Sequence, residues 1–90
     1  TMGVPTPEGI HQDGFDYVAI LLVSNENVVG GNSILFTSDQ CYDKLFEYTL
    51  KPRDCLILND IKLFHYVSPI VPKLPGKCYR DVIVVTFENR

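Results

Sequence analysis

Runs of β-branched and aliphatic residues, interrupted every several positions by turn chemistry, make up most of this chain. Tyr17 to Val23 (YVAILLV) shows no polar alternation, which predicts a central strand covered on both faces. Ile34-Leu35-Phe36 predicts a short strand ending near Thr37, and Cys55 to Leu58 another buried strand. Asp81 to Phe87 (DVIVVTF) closes the chain as its clearest β run. Two segments alternate instead. Phe46, Tyr48 and Leu50 alternate with Glu47 and Thr49 ahead of Pro52, which favours a strand there over a helix across Asp39 to Tyr48. From Phe64 to Ser68, His65 and Val67 share one face while Phe64 and Tyr66 share the other.

The residues between these runs are turn formers. Ser24-Asn25-Glu26-Asn27, Gly30-Gly31, Asp39 to Asp43, Pro52-Arg53-Asp54 and Asn59-Asp60 each predict a turn or loop. Pro69, Pro72 and Pro75 with Gly76 predict a stiff connection, and Thr1 to Gly9 an extended lead-in to a strand beginning at Ile10-His11. About seven short strands with no helix point to an all-β sandwich or barrel. There is no internal repeat, low-complexity tract or linker, so residues 1–90 read as one domain with a thin core.

Composition narrows the function classes. Apolar residues are 46% and charged residues 21% of the chain, a globular balance. A net charge of −3 with scattered Lys and Arg gives no footprint for nucleic acid. The longest apolar run is far too short to span a bilayer and no basic-then-apolar leader opens the chain, so a soluble cytoplasmic protein is expected. Cys41, Cys55 and Cys78 lie far apart with no C-x-x-C pair, which predicts reduced, mostly buried thiols rather than a zinc site.

The candidate chemistry sits on the two histidines. In His11-Gln12-Asp13 an extended strand would project an imidazole and a carboxylate from one face, about 7 Å apart. A second imidazole, His65, arriving from a neighbouring strand would complete two nitrogens and one carboxylate on one side of a metal. That set is the facial triad of non-haem Fe(II) oxygenases. Assembly requires the sheet to curl and bring these sequence-distant positions together. Gly14, directly after Asp13, suits either a sharp turn or close approach to a ligand. Arg80 shares parity with Val82 and Val84 and reads either as an exposed strand-end arginine or as a cationic fork for a cosubstrate carboxylate.

Several ordered blocks also resemble a known family. Pro7-Glu8-Gly9-Ile10-His11-Gln12-Asp13-Gly14, Gly30-Gly31-Asn32-Ser33, Leu56-Ile57-Leu58-Asn59-Asp60, His65 with Val67-Ser68-Pro69-Ile70, and Arg80-Asp81-Val82 through Thr86-Phe87 look like the bacterial 2-oxoglutarate and Fe(II)-dependent dioxygenases that include L-isoleucine hydroxylases. The resemblance implies a double-stranded β-helix (jelly roll, cupin-like), with Fe(II) held by His11, Asp13 and His65. It implies 2-oxoglutarate as cosubstrate, its distal carboxylate on Arg80, with Ser33 a further candidate for the same pocket or else a turn-capping hydroxyl. Relatives of this kind hydroxylate free aliphatic amino acids, a small-molecule chemistry with no nucleic-acid or membrane partner. They are much longer, with helices and a strand ahead of the His-x-Asp segment. This chain therefore resembles a truncated core, and a homodimer covering the uncovered sheet is one expected arrangement. Two other classes fit the same residues: a cupin-type metalloenzyme that does not use 2-oxoglutarate, and a non-catalytic β-sandwich interaction module or remnant.

Overall fold

The structure is a computed structural model that describes residues 9–89, so the lead-in expected before Gly9 lies outside the described residues. Eight strands form in chain order: β1 (Tyr17–Glu26), β2 (Val28–Gly30), β3 (Ser33–Phe36), β4 (Lys44–Tyr48), β5 (Cys55–Asn59), β6 (Phe64–Val67), β7 (Ile70–Pro72) and β8 (Tyr79–Phe87). A single 3-10 turn, Cys41–Asp43, leads into β4, and no other helix occurs among the described residues. Nothing helical there is long or apolar enough to cross a membrane. The architecture is all-β and wholly antiparallel, as the turn spacing predicts.

β1 is the organising strand. It lies between β5 and β8, pairing Ala19 with Ile57 on one side and with Val85 on the other. It is flanked on both sides but packed on one face: Val18, Ile20 and Leu22 point into the core, while on the other face Ala19 is buried between its neighbouring strands and Tyr17 and Val23 are exposed. A bulge between Leu22 and Ser24 bends β1 so that its far end still pairs with Arg80 through Asn25. A second sheet, in the order β4-β3-β6, faces the first. Val18, Ile20, Leu22 and Leu58 of one sheet meet Leu35 of the other, and Leu50 closes the cluster from the loop after β4. Burying each such side chain contributes about 1.5–3 kcal/mol, so this small cluster carries much of the driving force.

Four expectations need correction. Tyr17 to Val23 is central but not covered on both faces, since Tyr17 and Val23 are exposed on the side away from the core. Cys55 to Leu58 is not a buried strand: β5 is an edge, only Leu58 is buried, and Ile57 is 64% exposed. Gly30-Gly31 and the proline-rich connection hide a small two-stranded sheet, β2 with β7, in which Pro72 pairs opposite Val28 at the strand end, where a missing N–H is tolerated. The thiols are free but not mostly buried, since Cys41 and Cys55 are exposed on a surface turn and an edge strand, and Cys78 is half-buried. The favoured strand ahead of Pro52 does form, over Lys44–Tyr48, although every residue in it is exposed.

Because Leu22 is fully buried in the cluster shared by both sheets, Leu22→Ala should destabilise the chain by about 2–5 kcal/mol in urea denaturation. Ile57→Thr, on the open edge, should change stability by less than about 0.5 kcal/mol in the same assay.

Candidate metal centre

His11 and His65 are brought together by the backbone before any side chain acts. The His11 N–H donates to the His65 carbonyl at 3.0 Å, and the His65 N–H donates back to His11 at 2.8 Å. Residues directly opposite on an antiparallel pair project their side chains to the same side. The two imidazoles consequently stand with centroids 4.3 Å apart and planes tilted by 51°. β6 carries His65 opposite Leu35, and Val67 opposite Ser33, so these four residues share the sheet face that looks into the core. The sharing of a face by His65 and Val67 matches the alternation in the sequence.

Asp13 reaches the histidines by a different route from the one expected. Only His11 is in a β-bridge; Gln12 and Asp13 have left the strand. The separation of about 7 Å that strand geometry sets is therefore relaxed. The chain folds back, and the Asp13 carboxylate lies between the rings: Oδ1 is 3.2 Å from His11 Nε2, and Oδ2 is 3.5 Å from His65 Nε2. One ligand atom from each of the three residues falls within 4.8 Å of the others. Ligands bound at about 2.1 Å on adjacent corners of an octahedron are about 3 Å apart, so the set needs only a small contraction to share one ion.

Hydrogen bonding leaves the metal-facing nitrogen available. His11 Nδ1 lies 2.9 Å from the Gly9 carbonyl, which can only accept, so Nδ1 bears the proton and Nε2 keeps its lone pair. His65 is 6% exposed and its Nδ1 has no hydrogen-bond partner. Burial, and secondly the neighbouring His11, hold the His65 imidazole below its ordinary pKa, while Asp13 and Asp60 oppose the shift. A neutral imidazole is the form a metal requires.

Ser33, a buried side chain, and Arg80, a half-buried one, also carry a buried polar atom with no partner. Arg80 is the one residue of β8 withdrawn from solvent, in a strand whose apolar residues are all exposed. This excludes the exposed strand-end reading. Its side chain lies over Gly31: a Cβ there would come within 2.9 Å of Arg80 Cδ and 3.1 Å of Nε, so glycine makes room for the arginine beside the start of β3. Nη2 finds no partner among the described residues, and burial lowers the pKa of the guanidinium. Ser33 is 2% exposed within β3, so it does not cap a turn, and its Oγ is unpaired. Two unpaired donors facing the interior from opposite sheets are what a bound carboxylate would satisfy.

Some of what shapes the site had no signature in the sequence. Asn59-Asp60 does form the expected turn, with Asn59 Oδ1 accepting from the Ile61 and Lys62 N–H groups. The fully buried Asp60 carboxylate, however, turns back to the chain after His11. Gln12 Nε2 donates to the carbonyls of Asp60 and Ile61 at 2.9 and 3.0 Å. A cavity of about 450 Å³, lined by Gly9, Ile10, Ile34, Phe36, Glu47 and Tyr66 among others, opens on the opposite face of the β4-β3-β6 sheet, beside the residues that lead into His11.

An antiparallel β fold carrying two histidines and a carboxylate at one point, beside a half-buried arginine, has the ligand set of non-haem Fe(II) oxygenases. The sequence model of the family described as 2OG-Fe dioxygenase matches residues 1–86, and the chain belongs to that family. Among solved structures, it is similar to a bsmA homolog from Methylobium petroleophilum PM1, at 33% identity and a TM-score of 0.79 over 96% of this chain and 35% of that one. It also shares its fold with IDO from Bacillus thuringiensis, at 23% identity and a TM-score of 0.82 over 97% of this chain and 44% of that one. The chain thus spans less than half the length of both. No curated protein matches it in sequence. The family implies Fe(II) and 2-oxoglutarate, and the His-Asp-His cluster and the two unpaired donors fit both.

The depressed His65 pKa sets a pH dependence. Below the ordinary histidine value of 6.5 the unfolded chain takes up a proton that folded His65 resists, so stability is full above that value and falls as the pH drops below it. Urea midpoints of the metal-free chain should decline below pH 6.5, and His65→Gln should remove that part of the decline.

Proposed function

We propose that this chain is the catalytic core of an Fe(II)- and 2-oxoglutarate-dependent dioxygenase that hydroxylates a small aliphatic molecule, with free amino acids the first substrates to test. The observation that carries the reading is the convergence of His11, Asp13 and His65 within 4.8 Å in a chain of this family. His11 and His65 would hold Fe(II) through Nε2 and Asp13 through its carboxylate. Arg80 would pair with the distal carboxylate of 2-oxoglutarate, and Ser33 would donate its hydroxyl to the same group. When bound, Fe(II) would let O2 act as the oxidant and 2-oxoglutarate as the co-reductant, one oxygen atom entering succinate as carbon dioxide is lost and the other converting a substrate C–H to C–OH.

The protein's own contribution is placement and dryness. The main-chain bridge fixes the spacing of the imidazoles, and the Gly9 carbonyl fixes the His11 tautomer. Arg80 is half-buried with Nη2 unpaired, so an anion beside it would gain a charge-assisted hydrogen bond, which favours a dicarboxylate over a neutral compound. Ile20 and Leu22, candidates for apolar wall, are committed to the core cluster, whereas half-buried Val67 remains beside Ser33 and His65. The same reading places the enzyme in the cytoplasm, where three free thiols stay reduced.

The outer face of the β5-β1-β8 sheet exposes Tyr17, Ile57, Ile83, Val85 and Phe87, an apolar stretch that supports assigning its cover to a second copy of the chain. A dimeric molar mass in solution is expected; a monomer overturns this assignment alone.

Adding Fe(II) and 2-oxoglutarate without oxygen should produce a weak visible charge-transfer band. That band should vanish in His65→Ala and weaken in Arg80→Ala. A band indifferent to Arg80 would favour a metalloenzyme without 2-oxoglutarate, and no band with no bound metal would contradict the enzyme reading.

A further inference from the structure

Six consecutive residues, His11 to Phe15 and Asp16, are each tied to the segment between Asp60 and His65. His11 pairs with His65 through the backbone, and Gln12 spans the carbonyls of Asp60 and Ile61. The Asp16 carbonyl accepts from the Asp60 N–H at 3.0 Å. The three residues between converge on one side chain. The N–H groups of Asp13, Gly14 and Phe15 donate to Asp60 Oδ2 at 3.0, 2.8 and 2.9 Å, and Asp13 also reaches Oδ1 at 3.1 Å. Successive N–H groups wrapped around one anion in this way form a backbone nest.

Asp60 is 1% exposed, so this is a buried carboxylate whose acceptor sites are filled chiefly by the backbone of the loop that carries Asp13. Its Oδ1 also lies 3.8 Å from His65 Nδ1, too long for a hydrogen bond but with the negative charge facing the ring nitrogen away from the cluster. A single side chain therefore touches the loop of one expected ligand and the back of another.

Taking the metal reading above as its basis, we propose that Asp60 is the positioning residue of the centre. It holds the loop Asp13–Phe15 so that the Asp13 carboxylate stays between the imidazoles, and its negative charge facing His65 Nδ1 favours the tautomer with the proton there and the Nε2 lone pair turned toward Asp13. Without it, Asp13 follows His11 on a chain that has already left its strand, with nothing else in the described residues bonding the Asp13 and Gly14 N–H groups. Loss of a carboxylate behind a ligating histidine costs about 10- to 100-fold in metal affinity in comparable sites. Here the same carboxylate also serves the acidic ligand.

The test uses Co(II), an oxygen-stable substitute whose visible bands report coordination, titrated into the wild type and Asp60→Asn, with urea unfolding of both metal-free chains measured in parallel. Asn keeps the size and one acceptor oxygen but sets an NH2 group either against the three N–H groups on Oδ2 or at the Oδ1 position, where it removes the negative charge that faces His65 Nδ1. Asp60→Asn should bind Co(II) about 10- to 100-fold more weakly per folded molecule, with altered bands. Unchanged affinity and bands overturn the assignment, including when the urea midpoint falls, because a purely structural residue moves the midpoint alone. If the wild type binds no Co(II), the metal reading itself fails and takes this role with it. Should Asp60→Asn not fold, amide exchange in the metal-free wild type decides: slow exchange at Asp13, Gly14 and Phe15, comparable with β1, supports the role, and free exchange at these three overturns it.

Discussion

Two reciprocal main-chain hydrogen bonds between His11 and His65 are the constraint on which the rest depends. They make a lone bridge outside the regular strands, and they fix the one thing a shared cation demands, two imidazoles on the same side of a ladder at ring-contact distance. Everything upstream serves to place that bridge. The β4-β3-β6 sheet positions His65 by pairing it with Leu35, and Leu35 is pinned by the core cluster against Val18, Ile20 and Leu22. The packing of β1 is thus linked to the geometry of the centre through a single chain of contacts.

Electrostatics then separate this cluster from an ordinary buried polar group. Folded proteins pair nearly all their buried polar atoms, and those left unpaired call for an explanation. Among the described residues the three orphaned side-chain atoms belong to His65, Ser33 and Arg80, all on strand faces turned inward. A cation beside the imidazoles and an anion beside the arginine would account for these positions together. Gly31 gives the same indication from the backbone, since its missing Cβ is the space the arginine occupies.

Much of this was legible beforehand, and the reasons differ by element. Unbroken aliphatic character marked Tyr17 to Val23 as central, and the structure flanks it on both sides, but only the face with Val18, Ile20 and Leu22 is covered by the second sheet. Alternation at Phe64 to Ser68 put His65 and Val67 on one face, and the pairing agrees. The same apolar character misled at Cys55 to Leu58, since being an edge is a property of distant partners and not of local composition. Pro72 and Gly30 concealed the β2-β7 pair because both residues normally mark a break. At the centre, His11, Asp13 and His65 were visible as residue types, but the bend that delivers Asp13 was not. It comes from Asp60, forty-seven positions on, through hydrogen bonds to backbone that carry no residue-type signal.

The central claim is spatial: three side chains bind one ion. Anomalous diffraction from crystals of the chain soaked in Mn(II) without oxygen tests it most directly. A single strong peak within bonding distance of His11 Nε2, the Asp13 carboxylate and His65 Nε2 is predicted. A peak coordinated elsewhere, or none at that position under saturating metal, would contradict it.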